Sequence, residues 1–233
     1  MLPLLLPISF VALSSTAPML DLEPGKVQGF EYKTDNNDAA EIFLNIPYAS
    51  PPIGELRFEK PQPVPPWQGI RNGTIFGPNC IQLVPSKHAS ENCLTLNIIR
   101  PKLNNQTTSL PILLWIHGGG YEVGSAFSFG YEGFFSTGDK RMPGNLGLYD
   151  MTEALKFVHK NAKHIGGDPL RITVWGHSAG SAAAGQLILS PKSRDYIAQS
   201  IEMSGSPYGS WAIGAGVANN SLELAKISTK MWY

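Results

Sequence analysis

With 233 residues, 42% of them hydrophobic, the chain holds enough apolar material for the core of one large domain, which excludes a disordered tail. Its 18 basic and 18 acidic residues cancel, and neither sign gathers into a long run. The composition therefore carries no electrostatic footprint for nucleic acid or an anionic membrane.

The opening MLPLLLPISFVALSSTA is apolar and ends in small residues, with Ser15 and Ala17 spaced as a small-x-small cleavage site. It is too short and too broken by proline to span a bilayer. Residues 1–17 read as a secretory signal peptide, leaving 18–233 as a single domain destined for the extracellular space. No Lys or Arg precedes the apolar run and Pro18 would follow the cut, so the exact cleavage point stays open.

From Lys26 the pattern alternates through KVQGFEY, a polar turn KTDNNDAA, and EIFLNI, where Ile42, Leu44 and Ile46 are expected to share one face of an antiparallel hairpin. The following IPYASPPIGELRFEKPQPVPPWQG is too rich in proline for a helix or a central strand and is expected to be a loop held by its side chains. CLTLNIIRP is a further alternating strand. PILLWIH is a continuous apolar run of the kind buried on both faces of a parallel sheet.

In GLYDMTEALKFVHKNAKHIGG, helical spacing places Leu148, Met151, Leu155, Val158 and Ala162 on one face, with Gly166 and Gly167 stopping the helix. RITVW reads as a buried strand, GHSAG as a sharp turn, SAAAGQLIL as a helix able to pack closely, and QSIEMSG as a short strand. The order is that of a doubly wound α/β domain preceded by a meander, with no internal repeat.

Cys80 and Cys93 are the whole cysteine inventory. In an exported chain an even count suggests a disulfide, and closing so short a loop would contribute roughly 3 kcal/mol in the chain-entropy model. A pair of reduced, buried thiols is the alternative. Asn72, Asn105 and Asn219 head N-x-S/T triplets that accept glycans in the same compartment.

Two motifs carry chemistry. Gly176-His177-Ser178-Ala179-Gly180 spells GxSxG between a strand and a helix, the setting that lifts a nucleophilic serine out of a sheet, and the Ala179 N–H at the helix start can stabilise an oxyanion. His117-Gly118-Gly119-Gly120-Tyr121 follows a buried strand, and its bare backbone can aim successive N–H groups at a developing oxyanion. His159 and His164 close a helix, and His177, its side chain diverging from that of Ser178 on a tight turn, is not expected to act as a base.

These residues resemble the type B carboxylesterases, the family of cholinesterases, gut esterases and bile-salt lipases. The likeness runs from about Gly25 to Trp211 through NIPYASPPIGELRFEKPQPVPPW, SENCLTLNI, WIHGGGYEVGS, GFFSTGD, PGNLGLYD, IGGDPLRITVWGHSAGSAA and MSGSP. The resemblance implies an α/β-hydrolase fold and ester hydrolysis through an acyl-serine, acting on small-molecule esters without cofactor or metal. It implies Ser178 as nucleophile and Gly119, Gly120 and Ala179 as oxyanion hole, Cys80–Cys93 as the first disulfide, Arg57–Glu91 as a structural ion pair, and Trp211 beside a modest acyl group. The Cys80–Cys93 loop has no tryptophan and His177 stands where cholinesterases carry a glutamate, so a cholinesterase is not expected.

Two departures from the family stand out. Between GGGYEVGS and FFSTGDKRMPGN the family has a further valine- and isoleucine-rich strand ending in tyrosine and arginine, where this chain has AFSFGYEG. A central strand is therefore expected to be missing, as in a skipped exon or a faulty gene model, and Asp150 loses the arginine that would pair with it. In addition, all five histidines lie at or before position 177, and the family's triad acid and histidine lie beyond Tyr233. Loss of the triad histidine lowers the rate by about 10⁶. The expectation is thus a truncated α/β-hydrolase of ester-hydrolase descent, inactive as a 233-residue chain. A non-catalytic adhesion protein of the neuroligin type, which would typically lose the serine, and a fragment too incomplete to fold are the other two readings.

Overall fold

The computed structural model describes residues 17–82, 87–102, 109–124, 134 and 144–213. Nine strands and two α-helices are defined among them: β1 (Met19–Leu22), β2 (Gly25–Gln28), β3 (Phe30–Lys33), β4 (Ala39–Pro47), β5 (Ile70–Asn72), β6 (Thr95–Pro101), β7 (Leu110–Ile116), α1 (Leu146–Asn161), β8 (Gly167–His177), α2 (Ala179–Leu189) and β9 (Gln199–Met203).

The strands form three sheets of three, ordered β1-β2-β5, β3-β4-β6 and β7-β8-β9. The expected hairpin is present, with Phe30 opposite Ile42 and Lys33 opposite Ala39, closed by Thr34 and Asp38. Its predicted face needs correction. Asn45 adopts a left-handed φ of 57° at a bulge between Phe43 and Ile46, so the alternation breaks. Leu44 and Ile46 are buried as expected, but Phe43 is buried with them, while Ile42 keeps partial exposure. The β1–β2 hairpin turning at Glu23 and Pro24 precedes the expected start of regular structure.

The proline-rich stretch contains a single 3-10 turn at Gly54–Leu56 and is otherwise irregular. Side chains hold it, as expected. Trp67 donates its indole N–H to the Lys26 carbonyl at 3.1 Å, Arg57 pairs with Glu91 at 2.6 Å, and Tyr48 is buried at its root. Cys80 and Cys93 are joined in a disulfide.

Helix α1 buries Met151, Leu155, Val158 and Ala162, with Leu148 packed at the margin, and the chain turns through Gly166 at φ 82° into β8. Strand β7 pairs in parallel with β8, and β8 with β9. Ile112, Leu114, Ile116, Ile172 and Val174 point toward the helices and join one core with α1 and α2. The opposite parity of β7 and β8, Leu113, Trp115 and Trp175, was expected to be buried as well, and Ile201 of β9 lies on the same face. Leu113 is instead 53% exposed and Ile201 44%, because no described element lies over that face. No helix among the described residues is long and apolar enough to cross a membrane.

Candidate active site

Strand β8 ends at His177 and α2 begins at Ala179, so Ser178 alone makes the turn between them. Its φ of 57° and ψ of −121° lie in a region that residues with a Cβ rarely enter, a conformation costing of order 1–3 kcal/mol. The surroundings hold it there. Its N–H donates to the Met203 carbonyl of β9 at 2.8 Å, and its own carbonyl accepts the Ala182 N–H of the first helical turn at 3.1 Å. Ser181 anchors the same turn by donating to the Gly205 carbonyl at 2.7 Å.

The glycine loop after β7 is brought directly against this turn. A Cβ built on Gly118 would lie 2.7 Å from the His177 carbonyl oxygen and 3.1 Å from Ser178 Cβ, and one on Gly180 would strike the Ile116 and His117 carbonyls. Only bare backbone permits this approach. Gly119 and Gly120 take φ of 118° and 64°, and the Glu122 and Val123 N–H groups both bond to the Gly119 carbonyl, closing the loop. The space beside Gly120 is open within 4 Å, whereas Gly119 backs onto Val123.

His117 opens the glycine loop and is partly buried. Burial lowers its pKa, opposed by the Gly118 carbonyl to which Nδ1 bonds. A carbonyl only accepts, so Nδ1 carries a proton, and burial favours the neutral ring, whose Nε2 then keeps its lone pair. His159 packs edge-on against Tyr196 at 5.0 Å and His164 is exposed, in keeping with structural roles. His177 is exposed at the strand end.

Trp211 is half-exposed, its ring 6.2 Å from that of Tyr121, which in turn contacts Phe134 at 4.4 Å. This aromatic row borders the glycine loop. Asn72 is exposed at the end of β5, its Oδ1 accepting from Thr74 Oγ1 at 2.7 Å. Asn105, Asn219 and the signal segment up to residue 16 lie outside the described residues.

Asp150 was singled out by sequence, whereas Tyr48 and Gln186 were not. Asp150, expected to find a partner or remain wet, is desolvated beside Tyr48, and burial raises its carboxyl to about 7. Tyr48 is raised well above its usual value by burial and by the Asp150 and Glu153 charges. Gln186 bridges Tyr121 and Ala212. The signal for Gln186 was present, since it is the only long polar side chain in AGSAAAGQLIL.

Chemically, a serine Oγ is presented at a helix N-terminus beside a bare backbone loop, an arrangement that can stabilise negative charge on a tetrahedral carbon. The sequence pattern described as "Carboxylesterase family" matches residues 16–133 and 127–230. "Gut esterase 1" of Caenorhabditis briggsae is 42% identical over 243 residues, covering 92% of this chain and 42% of that protein. "Carboxylesterase 1F" of Mus musculus is 37% identical, covering 82% of this chain and 41% of its own length. "Pyrethroid hydrolase Ces2a" of Mus musculus is 36% identical, covering 82% and 40%. The chain spans about two fifths of the length of these relatives.

Proposed function

Because this chain belongs to the carboxylesterase family, whose fold is the α/β-hydrolase, we propose that Ser178 is the nucleophile of a carboxylic ester hydrolase acting on small-molecule esters. The observation that carries the reading is the left-handed backbone at Ser178, held between β8 and α2 with Gly118 packed against its Cβ. Ser178 Oγ attacks the ester carbonyl and gives its proton to a base. The carbonyl oxygen, now negative, is received by the N–H groups of Gly119, Gly120 and Ala179. The alcohol then leaves with a proton, and water hydrolyses the acyl-serine. One such donor is typically worth about 3 kcal/mol of barrier. Trp211 borders the acyl side, favouring modest acyl groups.

A polypeptide of these 233 residues alone is proposed to turn over slowly, since every histidine precedes Ser178, whereas the base of this fold follows the nucleophile in the chain. The strand read as missing between Ile116 and Trp175 in chain order accords with β7 being an edge strand among the described residues. The two family matches meet at residues 127–133, in the same interval. Residues 1–17 are read as a signal peptide directing export, with Asn72, Asn105 and Asn219 as glycan acceptors.

Dissolved imidazole can stand in for the base. With p-nitrophenyl acetate at pH 7, the wild-type polypeptide is expected to show a saturable, imidazole-dependent increment in p-nitrophenolate release that Ser178→Ala lacks. Equal rates in both would contradict the assignment of Ser178. Rapid turnover without imidazole would contradict the proposed need for an external base.

A further inference from the structure

Helix α2 is almost entirely small or aliphatic, and Gln186 lies on the same stripe as Ala179 and Ala183, two turns along the helix from the nucleophile turn. Its amide has two partners from different segments. Oε1 accepts the Tyr121 hydroxyl at 3.4 Å, and Nε2 donates to the Ala212 carbonyl at 3.0 Å. The Ala212 carbonyl accepts only, so the amide cannot flip without setting two acceptors face to face.

Tyr121 is the last residue of the HGGGY loop and has a left-handed φ of 63°. Ala212 adjoins Trp211, and its segment closes on itself through the Ala212 N–H to the Gly209 carbonyl at 2.8 Å. One side chain therefore ties together the glycine loop and the segment bearing Trp211. The Tyr121 and Trp211 rings stand 6.2 Å apart between these two tethers.

We propose that Gln186 is a positioning residue that fixes the Tyr121–Trp211 spacing and thereby restricts the acyl group of the ester to short chains. The inference rests on the reading of Ser178 as nucleophile. Gln186 touches neither the serine nor the glycine N–H groups in this arrangement; it acts through the two aromatic residues. Tyr121 is raised to about 12 by burial, so its hydroxyl remains a donor through the alkaline range used in the test.

The test compares acylation of Ser178 by p-nitrophenyl acetate and p-nitrophenyl hexanoate at pH 9. Hydroxide takes the serine proton, p-nitrophenolate leaves, and the acyl-peptide is located by mass spectrometry. Wild type is expected to favour the acetyl ester. Gln186→Met, which keeps length but loses both bonds, should reduce the acetyl-to-hexanoyl rate ratio at least threefold. Gln186→Glu, which keeps an acceptor for Tyr121 but loses the donor to Ala212, should reduce it as well. Tyr121→Phe should give a smaller change. A merely structural Gln186 would lower the thermal midpoint and leave the ratio unchanged, and that result would overturn the inference alone. Absence of acyl-Ser178 in wild type, or equal labelling in Ser178→Ala, would overturn the nucleophile reading and this inference with it.

Discussion

Ser178 stores strain that Gly would not, and this separates its backbone role from its chemical one. Ser178→Ala removes the hydroxyl but keeps the Cβ at φ 57°, whereas Ser178→Gly removes both. Relief of a left-handed residue outweighs the greater entropy loss of glycine, so Ser178→Gly should be about 1 kcal/mol more stable than Ser178→Ala in urea unfolding. Asp150 gives a pH signature. Its folded pKa of about 7 lies above the value of 3.8 it has when exposed, so the folded state holds more protons between those limits. Stability is unaffected by Asp150 below about pH 4. It falls as pH rises toward 7, by about 4 kcal/mol at most, and then levels. Asp150→Asn should flatten this slope and raise the thermal midpoint at pH 8, which calorimetry across pH 4–8 would show. Ser178 and the glycines were legible in sequence because strand, turn and helix are contiguous there. Tyr48 and Gln186 were not, since their roles come from partners distant in the chain, and for Asp150 only the loss of a partner could be read.

Among the elements, strands and helices with strong periodicity were readable: α1 presents the predicted residues to the core, and β6, β7 and β9 fall where their apolar runs placed them. The four-residue strand β1 was too short to produce a pattern, and β2, read as one run with β3, pairs instead with β1 and β5. The bulge at Asn45 could not be read from alternation, because it arises where Asn97 accepts the Asn45 N–H at 3.0 Å across the ladder. Cys93 lies two residues before β6 and Cys80 lies in the preceding loop, so their bond pins that loop to the β3-β4-β6 sheet. Reduction, or Cys80→Ser with Cys93→Ser, should cost about 3 kcal/mol in urea unfolding. The partner assignment needed no geometry, since the chain has two cysteines.

For the molecule as a whole, α1 and α2 cover one face of β7-β8-β9, and nothing described covers the other. On that open face Trp115 and Trp175 meet at 4.5 Å, and the Trp175 indole N–H reaches Met203 Sδ at 2.9 Å. Apolar parallel strands are ordinarily sheathed on both sides, and the described residues do not meet that expectation. The 233-residue polypeptide should therefore enhance 8-anilinonaphthalene-1-sulfonate fluorescence in its native state. Leu113→Lys combined with Ile201→Lys should reduce that enhancement at least twofold without loss of far-ultraviolet circular dichroism.

The family assignment and the strained turn together make Ser178 the point on which the functional account depends. The most direct test is prolonged reaction with an alkyl fluorophosphonate at pH 9, followed by peptide mapping of the adduct. The expected result is one phosphonyl group per chain, on Ser178, lost in Ser178→Ala. Adducts confined to tyrosines or lysines, with Ser178 unmodified, would contradict it.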